Sequence, residues 1–123
     1  MSDVESLRRI ALSQPEAYEQ DHFGIPSWRV AKKIFADASP QKNRATLKLD
    51  KNRQMILFEV RPDTFSPAVW GALTWTYVEL GRIDDGELAE LVTSAWRQVA
   101  PKALLKNTLA RETGEGGTRE AEG

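Results

Sequence analysis

At 123 residues, with no cysteine and a net charge of −1, the chain is the size of one domain and has no means of forming a disulfide framework, a thiolate metal site or a cysteine nucleophile. Its hydrophobic fraction of 41% and charged fraction of 28% are those of an ordinary globular protein. No apolar run approaches the ~18 residues of a membrane span. "MSDVESLRRI" lacks the basic-then-apolar pattern of a signal peptide, so the expected compartment is the cytoplasm, with no membrane partner.

The opening segment carries helix signals. Ser2 and Glu5 have capping-box spacing. Val4, Leu7, Ile10 and Ala11 recur on one face with Arg8 and Arg9 on the other, and Pro15 is the stop. A strand-rich stretch follows. "AYEQDHF" reads as a short strand between "QPE" and "GIP". Phe23-Gly24-Ile25-Pro26 reads as a sheet corner, Gly permitting a positive φ and Pro stiffening the turn. "SWRV" and "KIFAD" are β-prone, but Trp28, Val30, Ile34 and Phe35 do not keep one parity, which puts a tight hairpin turn at Ala31 and Lys32. "SPQKN" is a turn cluster. "RATLKLD" alternates, with Ala45, Leu47 and Leu49 inward and Arg44, Thr46 and Lys48 outward.

"DKNRQMILFEVRPD" fits a buried strand or a helix; Asp50 as N-cap and Pro62 as stop favour the helix. "LTWTYVEL" predicts a strand with Thr74, Thr76, Val78 and Leu80 on one face and Trp75, Tyr77 and Glu79 on the other. Asp84 and Glu87 repeat the capping-box spacing. Leu88, Leu91, Val92, Ala95, Trp96 and Val99 then form an apolar stripe of helical period. Pro101 ends that helix and opens a short successor, "PKALLKNTLA". The order predicts an α+β domain of two layers over residues 1–110, an antiparallel sheet with helices packed on one face. Residues 111–123, rich in Gly and Glu, are expected to form a disordered acidic tail.

Catalytic and metal chemistry find little support. One histidine and no cysteine leave carboxylates as the only multiple ligands, and no calcium-loop spacing is present. Neither metal nor cofactor is expected. His22 beside Phe23 reads as a structural or surface residue. "GEGG" completes no phosphate-loop motif, and helix capping explains adjacent Asp84 and Asp85 better than acid–base pairing does. The expected protein is not an enzyme.

The charge, however, is uneven. Between Arg29 and Arg53 eight basic residues accompany two acids, a segment of +6, whereas Glu79 to Glu90 carries −4 and the last twelve residues −3. A local patch sets a local field whatever the whole-chain balance. Arg44 and Lys48 share the outward face of one strand. Lys32 and Lys33 sit at the neighbouring hairpin turn, near Arg29, and Trp75 and Tyr77 point together from another strand. Charge for phosphate and rings for stacking are what nucleic acid requires. Basic residues also suit ordinary exposed strands, where they deter aggregation. The direction of Trp75 and Tyr77 separates the two readings: beside the basic residues for nucleic acid, beneath a loop for core.

"DHFGIPSWRVAKKIFA", followed by "ATLKLD", "RPDTFSP", "WTYVEL" and "SAWRQVAPKALL", resembles the MmcQ/YjbR family of small bacterial proteins, from the first helix to about Leu109. The resemblance implies a frataxin-like (CyaY-like) fold, a helix at "MILFEV", and DNA binding through a double-wing arrangement. Frataxin's acidic iron-binding ridge is not carried over, because the first helix has only Asp3 and Glu5 with two arginines. The expectation is a non-enzymatic DNA-binding domain, weak and without sequence preference, using Arg29, Lys32, Lys33, Arg44, Lys48, Trp75 and Tyr77. The alternative is a module that binds a protein or a small molecule through the aromatic side of the sheet.

Overall fold

The computed structural model describes residues 1–68 and 75–105. The expected tail, Thr74 and the second half of "PKALLKNTLA" lie outside the described residues. Helix α1 (Val4–Leu12) leads into strands β1 (Tyr18–His22), β2 (Ile25–Val30), β3 (Lys33–Ser39) and β4 (Arg44–Lys48). Helix α2 (Lys51–Val60), strands β5 (Phe65–Pro67) and β6 (Trp75–Glu79), a 3₁₀ turn over Leu80–Arg82 and helix α3 (Asp85–Val99) follow. The strands form one antiparallel sheet in the order β1-β2-β3-β4-β6-β5. Helix α3 lies over β3 and β4, and α1 packs beside it over β2, β3 and β4. This is the expected two-layer α+β architecture. None of the described helices is long and apolar enough to cross a membrane.

Alternation explains the layers. On the helix side, Ala38, Ala45, Val78 and Phe65 form one row across four strands, all buried. The six predicted stripe residues of α3 are all buried against this side. Trp96 is fully buried, and its Nε1 donates to the Pro15 carbonyl at 3.0 Å. Trp28, equally buried, donates to Glu19 Oε1 at 3.0 Å, and Glu19 is also paired with Arg8 at 2.8 Å. Each large ring thus brings its one polar atom to a partner, which removes the cost of burying it.

Local signals set most boundaries, with three corrections. The cap of α1 is Asp3, whose carboxylate accepts from the Ser6 amide at 2.8 Å. Ser2 is instead buried and donates to Asp85 Oδ1 at 2.6 Å, tying the chain start to α3. Asp84 caps α3 as expected, accepting from the Glu87 amide at 2.8 Å. The Glu87 carboxylate, however, turns away to receive both of its 2.5 Å bonds from Arg61 beyond the end of α2. Finally, the sheet corner is a two-residue turn at Phe23 and Gly24 (φ 54° and 91°), and Pro26 lies inside β2 opposite Asp21.

The hairpin at Ala31 and Lys32 stands where the broken parity put it, with both residues at positive φ (51° and 69°). A second irregularity contributes to the break. Trp28 pairs with Ala36 while Arg29 pairs with Ile34, so Phe35 is an extra residue in β3. Bulges of this kind shift which face later side chains occupy.

Candidate functional site

The sheet side opposite α1 and α3 carries mostly polar and aromatic side chains from the central strands, with Ile25 and Ile34 among them. One row across it runs Ser27, Asp37, Thr46, Tyr77, Ser66, from β2 to β5. Flanking rows place Arg44 opposite Glu79 and Lys48 opposite Trp75. Arg44 reaches diagonally over Tyr77, its guanidinium carbon 4.5 Å from the ring centroid, and Lys48 Nζ lies 6.0 Å from the Trp75 centroid. Both separations are within the range in which a cation is drawn to a ring face. Arg44 Nε also stands 3.4 Å from Glu79 Oε2. Trp75 and Tyr77, both half-buried, therefore lie beside the basic residues.

Of the seven sequence-predicted residues, the fold gathers four: Arg44, Lys48, Trp75 and Tyr77. Arg29 is on the same sheet side but two strands from Arg44, with Nε 3.2 Å from Ser27 Oγ and a terminal nitrogen 3.5 Å from His22 Nδ1. Lys32 and Lys33 are exposed at the end of β3. Lys33 pairs with Val30, whose side chain faces the core. Lys32 lines a separate cleft of about 610 Å³ with Tyr18, Val30 and Pro101. These two lysines belong to the sheet's end rather than to its open face.

The residue that sequence reasoning missed is Asp37. It occupies the middle of the open face, yet only 2% of it is exposed. Thr46 hydrogen-bonds to its carboxyl group. Its Oδ2 is buried and without a hydrogen-bond partner among the described residues. Burial pushes the Asp37 pKa up, with the Thr46 bond and the nearby His22 opposing that shift. Asp37 is one of the residues lining a pocket of about 130 Å³, with Ile25, Ser39, Lys42, Arg44, Thr46 and Tyr77. The available signal was an acid inside the apolar run "IFADA": a charge in a β-prone segment needs a reason.

Chemically, the face offers two cations seated on two rings and, beside the Arg44–Tyr77 pair, a buried acceptor in a residue that lines a small pocket. Among the described residues, no cluster of three or more His, Asp or Glu is placed to hold a metal ion.

An antiparallel sheet with aromatic and basic side chains on one side and helices on the other defines a two-layer α+β domain. The chain belongs to the YjbR family, whose model matches residues 12–98. It is similar in fold to the crystal structure of Deinococcus radiodurans protein DR2400, a DUF419 domain, with a TM-score of 0.75 and 24% identity over 98% of this chain and 97% of that one. No curated protein matches the sequence.

Proposed function

We propose that this domain binds DNA weakly, without enzymatic activity, through the open sheet face built on β4 and β6. The observation that carries this reading is the pairing of Arg44 with Tyr77 and of Lys48 with Trp75 on one side of the sheet. Cations take phosphate, and ring faces or guanidinium planes stack on unpaired bases. Arg29, farther along the same side, extends the positive track; Lys32 and Lys33 add charge at the sheet end. Glu79 and Asp37 oppose them, which keeps binding weak and dependent on contacts rather than on net field.

A salt titration of the whole chain with single-stranded and random duplex DNA tests the proposal. Non-specific binding has Kd values of roughly 10⁻⁴–10⁻⁶ M at physiological salt, and log K falls by about 0.7 per neutralised phosphate per decade of salt on single strands. Lys48→Glu should reduce affinity and flatten the salt slope. Absence of binding to either DNA even at low salt would overturn the reading.

A second reading, a protein-binding module, is favoured by exposed Met55, Ile56 and Val60 on α2. Replacing all three with glutamine would leave DNA binding intact and abolish only a protein contact.

A further inference from the structure

The pocket around Asp37 contains an acceptor without a donor. Its Oδ2 is buried and unpartnered among the described residues, while the carboxyl group is already bonded to Thr46. A buried, unpaired carboxylate oxygen costs stability, and a native fold keeps one where something else supplies the missing hydrogen bond. The walls define what that something is. On one side stand the Tyr77 ring and the Arg44 guanidinium over it, its central carbon 4.5 Å from the ring centroid. At the rim, Lys42 is exposed, with Ser39 beside it. A ligand that fits has a planar body for the Arg44–Tyr77 pair, an N–H at its edge for Oδ2, and a negative group for Lys42.

We propose that this pocket, resting on the DNA-binding reading above, receives the amino edge of one unpaired base, with Asp37 as the residue that distinguishes amino from keto. Carboxylates accept from the cytosine N4 amino group. Uracil and thymine carry a carbonyl oxygen at that position, which would face Oδ2 as a second acceptor. Base discrimination thus comes from an unsatisfied acceptor pair as much as from a gained bond. Only an unpaired strand can present a base edge to a sheet in this way. Because Oδ2 itself is buried, the base edge reaches it by displacing side chains that line the pocket.

The pyrimidine pair cytosine and uracil isolates the amino group, since both rings have the same size and neither carries a methyl group. The experiment measures binding of the whole chain to oligo(dC) and oligo(dU) of equal length and salt, together with free cytidine monophosphate. Oligo(dC) is expected to bind roughly tenfold tighter, the value of one hydrogen bond to a charged group. Asp37→Asn, whose amide offers both a donor and an acceptor, should bring the two oligomers within about twofold, with a cooperative melt showing that the fold is kept. Equal wild-type affinity for the two oligomers would overturn the base pocket and leave DNA binding standing. No binding to either would remove both readings. Free cytidine monophosphate binding as tightly as oligo(dC) would overturn the strand as ligand and make this a small-molecule site.

Discussion

Arg44 lies over the ring of Tyr77 although the strand register sets Arg44 opposite Glu79 and Tyr77 opposite Thr46. The contact is diagonal, within the reach of a long side chain across an antiparallel pair. It holds one cation against both a ring and a carboxylate, Glu79 at 3.4 Å. Arg44→Ala should therefore destabilise the fold by about 1 kcal/mol, the size of a partly exposed cation–π contact. Arg44→Lys should recover little of it, because an ammonium cannot lie flat on the ring. Urea unfolding of the two variants checks this, with the midpoint falling and the slope unchanged.

Trp96 is the second test of the packing. The ring is fully buried and its Nε1 bonds Pro15 O. Trp96→Ala should cost about 3–5 kcal/mol, a large part of a small domain's stability. Trp96→Phe separates the two contributions: it keeps most of the volume but leaves the Pro15 carbonyl without its donor, at about 1–3 kcal/mol. A Phe variant as stable as wild type would show that water replaces the lost bond.

The β2–β3 turn is a place where stability can be raised. Ala31 and Lys32 both have positive φ, a region that costs a residue with a side chain on the order of 1 kcal/mol. Two-residue hairpins of this geometry prefer Asn-Gly. Ala31→Asn with Lys32→Gly should raise the unfolding free energy by about 1–2 kcal/mol in total, read as a higher urea midpoint. The same variant removes one cation from the sheet end, so an unchanged DNA affinity would place Lys32 outside the binding track.

The pH response divides by carboxylate. Glu19 has a pKa below the usual carboxylate value because Arg8 hydrogen-bonds it and Trp28 donates to it. Asp85 is lowered by Ser2 first and by Arg9 as well. A depressed carboxylate contributes stability that is present above its unfolded pKa and is lost as pH falls through its folded value. Glu19→Gln should therefore weaken the protein at neutral pH and flatten its acid sensitivity. Asp37 acts in the opposite sense: burial raises its pKa, so its charge destabilises the fold above that value and the penalty fades as the pH falls. Asp37→Asn should be more stable than wild type at neutral pH, with the gap closing in acid. Melting curves across the acid range read both signs.

The elements that repeat a short pattern were legible in the sequence. The α3 stripe from Leu88 to Val99, the alternation of Arg44 to Leu49, and the paired faces of Trp75, Tyr77 and Thr76, Val78 each follow from geometry that a few neighbouring residues fix. Asp50 and Asp84 announced their helices for the same reason: a cap acts within one turn. The tertiary structure decided what depends on partners far along the chain. Ser2 leaves the expected capping box because Asp85, distant in sequence, offers its hydroxyl a better acceptor. Phe65–Pro67 becomes a strand only because Val78 to Thr76 lie alongside it. Lys33 lies off the sheet side that carries Arg44 and Tyr77 because the bulge at Phe35 resets its parity. Asp37 gave a local sign, an acid among apolar neighbours, but its meaning required β4 and β6. A side chain's burial is set by what packs around it, and only the assembled sheet puts Thr46, Arg44 and Tyr77 around that carboxyl group.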